Sequence, residues 1–580
     1  MRDLVLSPRF AGSVLLCGVL AACSSTTPGS TFDAGSPPAD GAGGGDIDAA
    51  GSIDASTVDA GGADASTPAP SLLARTPPMG WNSWNRFGCD VSEDLIKQMA
   101  DAMVATGMKA AGYQYVVIDD CWQVSRDASG VIVADAARFP SGIPALAEYI
   151  HAKGLKFGIY TDAGAHTCQN RPGSRGHELL DAQTYASWGV DYIKEDWCDT
   201  SGLDPKTQYA IMHDALATVG RSIVFSLCSW GNGAPWVWGS VTGQLWRTTG
   251  DIADNWGSMI GIVDSSSPHA AAARPGAWND PDMLEVGNGG MTDPEYRVHF
   301  TLWAMMAAPL ISGNDLRSMT TATRTVLLNP GVIAIDQDPL GIQGMLVRDS
   351  GGLQVWSRPL AEPGARAVAL VNRSGSSASI TVNWSEIGLA AGNASVRDLW
   401  LLLDNGPTPD AYTAIVPSHS VVLLRIVGNE PPAPTGTAYV SDLPWTFAVH
   451  GYGPAERDHS NGEQGASDGH TLTLGGTTYA KGIGAHSGSL IRVNLGGRCS
   501  TFSAKIGVDD EMGDRGSLSF EVWSGADRLY SSGLMTGATP TKTISVDVTG
   551  RSDLRLYVDP GFDNYDYDHA DWAEAQVTCQ

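Results

Sequence analysis

Charge is scarce in this chain, and positive charge is scarcer. Asp, Glu, Lys and Arg make up 17% of the 580 residues, below the usual quarter, and 63 acidic against 36 basic residues leave a formal net charge of −27. With no basic surface to neutralise phosphates, a nucleic-acid partner is excluded. Adsorption to anionic lipid is excluded on the same ground. No stretch beyond the leader reaches 18 apolar residues, so no membrane-spanning helix is expected. No Gly-x-Gly-x-x-Gly follows an early strand, which argues against a doubly wound dinucleotide fold. What is plentiful is Gly (69) and Trp (18). Many Trp and few charges suit a protein that handles neutral polyols, whose C–H faces stack on aromatic rings. Ordinary core packing also uses Trp, and composition leaves both open.

The first 23 residues read as an address. Arg2 and Arg9 make a positive start, and Phe10 to Ala22 is an apolar run too short to span a membrane. It ends in Leu20-Ala21-Ala22-Cys23, which resembles the lipobox of bacterial lipoproteins and implies cleavage before Cys23 and lipidation of its thiol. A plain signal peptide cut nearby is the other reading, and both export the protein. Residues 24–70 hold no Lys or Arg and almost no large apolar residue, while Asp33, Asp40, Asp46, Asp48, Asp54, Asp59 and Asp64 repel one another. Such a segment cannot bury a core and is expected to be a disordered tether. Of nine Cys, seven remain beyond the leader, an odd number that leaves at least one unpaired; spacing alone does not assign the pairs.

From residue 71 to 341 short apolar runs alternate with helical periodicity. Tyr115-Val116-Val117-Ile118, Lys156-Phe157-Gly158-Ile159-Tyr160, Asp191-Tyr192-Ile193-Lys194 and Ser222-Ile223-Val224-Phe225-Ser226 read as buried parallel strands. Helices are expected at 92–105, opened by Ser92, and at 144–151. Repeated βα units of this length predict a (β/α)8 TIM barrel, an α/β fold. Polar residues sit just past the strand ends: Asp119-Asp120, Tyr160-Thr161-Asp162, Glu195-Asp196, Arg247 with Asp251, and Asp280 with Asp282. In a barrel those ends meet at one mouth, so carboxylates far apart in sequence converge on one pocket. From 342 to 428 the period changes to two, as in Leu353-Gln354-Val355-Trp356-Ser357, which predicts an antiparallel β-sandwich. A Pro-rich linker is expected at 429–437 and a second all-β unit, a jelly-roll sandwich by the resemblance given below, at 438–580.

The barrel region resembles the clan-D α-galactosidases of glycoside hydrolase family 27. The motifs that carry this are Arg75-Thr76-Pro77-Pro78-Met79-Gly80-Trp81-Asn82-Ser83-Trp84-Asn85, Asp119-Asp120-Cys121-Trp122, Gly158-Ile159-Tyr160-Thr161-Asp162, Trp246-Arg247-Thr248-Thr249-Gly250-Asp251, Trp278-Asn279-Asp280-Pro281-Asp282-Met283 and Ile335-Asp336-Gln337-Asp338-Pro339. The resemblance implies a retaining glycosidase without cofactor or metal, with Asp196 as nucleophile and Asp251 as acid/base. Lys194, two residues before Asp196 on the same side of the strand, is expected to keep that carboxylate ionised. Asp251 must carry a proton, which calls for a desolvated site. By the same matches Asp119 and Asp120 accept from the galactose 4- and 6-hydroxyls and Trp84 stacks on the sugar. Tyr160, Cys168, Cys228, Trp230, Arg247, Asp282 and Met283 complete the pocket. Disulfides are implied between Cys168 and Cys198 and between Cys89 and Cys121, leaving Cys228 as the barrel's free thiol; Cys499 and Cys579 are candidates for a third.

Two departures from the family pattern matter. Glu195 stands where an aromatic residue is usual, and strand alternation points it away from the barrel axis. In Leu227-Cys228-Ser229-Trp230, the bulk of Cys228 and Trp230 is expected to exclude an N-acetyl group, with Ser229 turned away, so galactose is favoured over N-acetylgalactosamine. An N-acetylgalactosaminidase or a β-L-arabinopyranosidase of the same family is the alternative, and an inactive galactose-binding lectin a third. The last unit resembles the NPCBM type of carbohydrate-binding module (family 51), on Tyr479-Ala480-Lys481-Gly482-Ile483-Gly484-Ala485-His486, Asp509-Asp510-Glu511 and Asp568-His569-Ala570-Asp571-Trp572. It implies a hold on galactose-containing glycans, with His486 and Trp572 the first candidates. Asp509, Asp510 and Glu511 are candidates for a structural Ca²⁺, a solvated turn being the other reading. The expected partners are galactose-containing oligosaccharides, and the expected location is the bacterial cell envelope, held by the lipid anchor alone.

Overall fold

The computed structural model describes residues 73–580; the expected leader, Cys23 and acidic tether lie outside the described residues. Eight parallel strands form one curled sheet: β1 Met79–Asn82, β2 Tyr115–Val117, β3 Lys156–Asp162, β4 Tyr192–Asp196, β5 Val224–Leu227, β6 Leu245–Arg247, β7 Trp278–Asp280 and β8 Leu310–Ser312. They pair in chain order from β1 to β7, and β8 pairs back on β1. A parallel bridge between Leu284, just past β7, and Ser312 closes the ring. The continuous apolar runs read from the sequence are these strands, buried on both faces between barrel interior and helices. The helix Glu93–Ala105 starts where expected: the Ser92 hydroxyl accepts from the Leu95 amide at 3.3 Å. Closure is what gathers the polar residues. Asp196 ends β4, Arg247 ends β6, and Asp119 and Asp120 follow β2 after Ile118.

The next unit is a six-stranded antiparallel sheet faced by a two-stranded one. Its core is Val355, Val368, Leu370, Ile380, Val382, Trp384, Leu424 and Ile426. The strands Leu353–Pro359, Ala365–Asn372, Ala378–Asn383 and Ser420–Val427 were legible in sequence, the first by its two-residue alternation and the others by their strand-like composition. The edge strand Leu403–Pro409 was not, because it is exposed along almost its whole length and carries no apolar face.

The last unit packs two sheets around Ile483, Phe502, Ile506, Phe520, Val522, Leu556 and Trp572, with Cys499 and Cys579 joined between two neighbouring strands, opposite each other in register. Three expectations change here. The stretch 429–437 is not a free spacer. Glu430 accepts from Arg366 of the first sandwich at 3.1 Å and from Arg492 of the module at 3.4 Å, and the module's first strand already begins at Gly436. Trp572 cannot take sugar: it is 1% exposed, its ring against Phe520 and Phe502. His486 is also buried, edge-on to His569. The carboxylates of Asp509, Asp510 and Glu511 do not converge on a cation. Asp509 accepts from the Thr473 and Glu511 amides, Asp510 from Gly475 and Gly476, and Glu511 lies 2.7 Å from His569 Nδ1. These residues do not fit Ca²⁺, which needs several oxygens aimed at one point. The module is seated on the barrel: Arg274 donates to Asp559 at 2.9 Å, and Ala270, Ala271, Leu340 and Ile342 pack against Phe447, Leu490, Trp523 and Tyr557.

Candidate active site

A cavity of about 420 Å³ opens at the C-terminal ends of the barrel strands. Of the residues expected to bind substrate or act on it, all but Cys228 line it: Trp84, Asp119, Asp120, Tyr160, Cys168, Lys194, Asp196, Trp230, Arg247, Asp251, Asp282 and Met283. Asn85, Arg86, Ile252, Ala253, Asp254, Glu285 and Asn288 also line it, and sequence reasoning did not single them out.

Asp196 is nearly buried at the end of β4. Its Oδ2 accepts from Tyr160 OH at 3.1 Å and its Oδ1 from the Trp197 amide at 3.0 Å. Lys194 Nζ is 3.9 Å from Asp196 but 2.9 Å from Asp119, so the ammonium belongs first to the sugar-side carboxylate. Burial is the main influence on Asp196 and pushes its carboxyl above the ordinary value, against the pull of Lys194 and Arg247. Lys194 therefore moderates the rise and does not by itself set a low pKa, as the sequence suggested it would. Asp119 also accepts from Asn82 Nδ2 at 2.8 Å and from the Asp120 amide at 2.9 Å. Asp120 accepts from the Cys121 amide, the Thr167 hydroxyl and the Gln169 amide. Thr167 and Gln169 flank Cys168, and Cys168 is disulfide-bonded to Cys198, so this bridge fixes the loop that positions Asp120. Cys89 is joined to Cys121 on the other flank.

Asp251 corrects an expectation. Its side chain is 68% exposed, and Arg247 Nη2 donates to it at 2.9 Å. Partial burial raises the carboxyl, but the Arg247 guanidinium, then the Lys194 ammonium, outweigh it and hold it below the ordinary value. The open cavity does not supply the desolvation the sequence reading asked for. Arg247 itself is 3% exposed along its side chain and is shared with Asp282 at 2.9 Å. Asp282 stands at φ 94°, with the Ile252 and Met283 amides on its two oxygens. Trp230 (φ 56°) and Cys121 (φ 78°) are likewise left-handed, so strained backbone clusters around the cavity.

Cys228 is a correction of another kind. It is the free cysteine among the described residues, buried, with Arg247 Nη1 3.7 Å from its Sγ. It backs the guanidinium and does not reach the cavity wall, which here is Trp230 alone. Ser229 turns away as expected, its hydroxyl donating to the Asn232 carbonyl at 3.0 Å, and it is fully buried. Glu195 also points out of the cavity. It is 1% exposed, with Oε2 unpaired. Burial, then Asp162, Glu178 and Asp181, push its carboxyl well up, so the folded protein holds it neutral. For an acid whose folded pKa is raised, stability is lost as pH climbs above the unfolded value of about 4.5 until the folded pKa is passed. Glu195→Gln, which never ionises, should lack this loss. In that window the slopes of unfolding free energy against pH should differ by about 1.4 kcal/mol per pH unit. Parallel denaturation profiles for the two proteins from pH 5 to 8 would contradict this.

Residues 76–338 match the family described as "Alpha galactosidase A", 350–426 the "Alpha galactosidase C-terminal beta sandwich domain", and 436–578 the "NPCBM/NEW2 domain". The chain is 56% identical over 351 residues to α-galactosidase 2 of Arabidopsis thaliana, covering 60% of this chain and 88% of that protein. It is 50% identical over 376 residues to α-galactosidase A of Cellvibrio japonicus, covering 61% and 92%. The crystal structure of α-galactosidase I from Mortierella vinacea superposes with a TM-score of 0.61 at 39% identity, over 62% of this chain and 99% of that one. With a closed barrel, a matching family model over that barrel and 56% identity across 88% of a curated relative, the chain belongs to the α-galactosidases of glycoside hydrolase family 27.

Proposed function

We propose that the enzyme is a retaining exo-α-galactosidase that releases terminal α-D-galactosyl residues from oligosaccharides or glycans. The observation that carries this is one cavity at the barrel mouth lined by the buried Asp196, the largely exposed Asp251 and the carboxylates of Asp119 and Asp120. Asp196 attacks the anomeric carbon while Asp251 gives its proton to the departing oxygen, so the C1–O bond breaks and a β-galactosyl ester forms on Asp196. Asp251, now a carboxylate, takes a proton from water, whose oxygen attacks C1 from the opposite face; the C1–O bond to Asp196 breaks, its carboxylate is released, and the α-configuration is restored. Bound substrate covers Asp251 and removes the water that keeps its carboxylate comfortable, which raises its pKa toward the acid role. Paired carboxylates beneath the 4- and 6-hydroxyls favour an axial 4-hydroxyl. The Trp230 indole closes the side expected to face the 2-position, which favours galactose over N-acetylgalactosamine. On the strength of the leader and the Leu-Ala-Ala-Cys motif, the enzyme is exported and held at the cell envelope through Cys23, and the C-terminal module supplies a second hold on galactose-containing glycans.

Two measurements test the reading together. Hydrolysis of 4-nitrophenyl α-galactoside should exceed that of the N-acetylgalactosaminide, and NMR of early product should show α-galactose before mutarotation. Early β-galactose would require an inverting site; preference for the N-acetylated substrate would overturn the role given to Trp230.

A further inference from the structure

We infer that the C-terminal module braces the loop carrying Trp230, and so takes part in choosing which sugar the barrel accepts. The inference rests on the reading of Trp230 as the cavity wall beside the 2-position. The loop after β5 is wound against its own preference. Trp230 (φ 56°), Gly231 (φ 84°), Gly233 (φ 72°) and Ala234 (φ 49°) all stand in the left-handed region. For Trp230 and Ala234 that conformation is unfavourable, and it persists only where neighbours enforce it. Near at hand, the Gly231 amide donates to the Arg247 carbonyl at 3.1 Å, and Trp238 Nε1 donates to the Gly233 carbonyl at 2.7 Å.

Two outer supports complete the hold, and the module bears on both. On one side the Trp236 ring stacks on His269, with centroids 3.6 Å apart. Burial pushes the His269 imidazole down to about 4, so above that pH the ring is neutral and packs as an aromatic. The next two residues, Ala270 and Ala271, pack against Phe447, Leu490, Trp523 and Tyr557 of the module. On the other side Gly233 abuts Pro205: a Cβ on the glycine would fall 3.0 Å from Pro205 Cγ. Lys206, next in the chain, donates to the Phe562 carbonyl of the module at 2.6 Å. The Phe562 ring lies against the core that the barrel shares with the first sandwich. Neither His269 nor Phe562 lines the cavity, so whatever they do to the sugar they do through Trp230.

A loosened wall relieves the clash with an acetamide and loses packing on galactose, so the two substrates respond in opposite senses. The quantity to read is kcat/KM on 4-nitrophenyl N-acetyl-α-galactosaminide divided by that on the galactoside. A mere loss of folded enzyme leaves this ratio unchanged. Trp230→Ala should raise it most. Phe562→Ala and His269→Leu should each raise it about threefold to tenfold, as changes along a chain of contacts do. His269→Phe keeps a flat ring on Trp236 and should stay near wild type. In a Trp230→Ala background, Phe562→Ala should add nothing, because the wall it acts through is gone. Ratios within about twofold of wild type in both Phe562→Ala and His269→Leu would overturn the brace, as would a rise that persists in the Trp230→Ala background. If Trp230→Ala itself leaves the ratio unmoved, Trp230 is not the wall and the inference falls with that reading; if Trp230→Ala alone moves it, only the brace falls.

Discussion

Asp196→Ala should lower turnover of 4-nitrophenyl α-galactoside by at least about a thousandfold while the fold survives, because it deletes the atom that attacks C1 and leaves the rest of the cavity in place. The gap left at the end of β4 lies under the β-face of the bound sugar, beside Tyr160 OH and the Trp197 amide. Azide should enter it, attack C1 from that face and expel nitrophenolate, giving β-galactosyl azide in a single displacement. Recovery of the α-azide, or activity above a few percent of wild type without added nucleophile, would remove Asp196 from the role.

Asp251→Ala should show the complementary pattern. Nitrophenolate needs little protonation, so the galactosyl ester on Asp196 still forms; a sugar leaving group needs the proton, and its rate should fall about a hundredfold to ten-thousandfold. Azide then attacks the ester from the face that Asp251 vacated, displacing the Asp196 carboxylate and giving α-galactosyl azide. The pH profile follows from the same residue. Arg247 holds the free Asp251 carboxyl below its ordinary value, so the protonated acid is populated only at acidic pH in the empty site. Wild-type kcat/KM, which reports the free enzyme, should therefore peak at acidic pH and decline toward neutrality. That alkaline limb should be steep for a substrate with a sugar leaving group and shallow for the aryl substrate, whose leaving group needs little protonation. A wild-type kcat/KM that rises through pH 7 would mean that Arg247 does not control the acid.

By itself the sequence determined the element types and the identity of most cavity residues. The physical reason is that both are local. A run such as Tyr115-Val116-Val117 reports burial on two faces, the two-residue alternation of Leu353–Pro359 reports a sandwich face, and a carboxylate just past an apolar run reports a strand end that a closed barrel turns toward its mouth. The family motifs added residue roles to those positions. What only the tertiary structure decided depends on groups brought together from distant parts of the chain. Asp251 meets Arg247 in an open cavity and is held as a carboxylate, so a charge pair overrides the desolvation expected from its role. Cys228 sits behind that guanidinium instead of in the wall. Trp572 alternates inward into a packed core, and Glu430 turns a Pro-rich stretch into a pinned joint because Arg366 and Arg492 arrive from two different sheets. Asn85 and Glu285, 200 residues apart, carry no shared sequence signal at all; only the closing of the barrel, with β8 between the loops that bear them, brings the amide to the carboxyl.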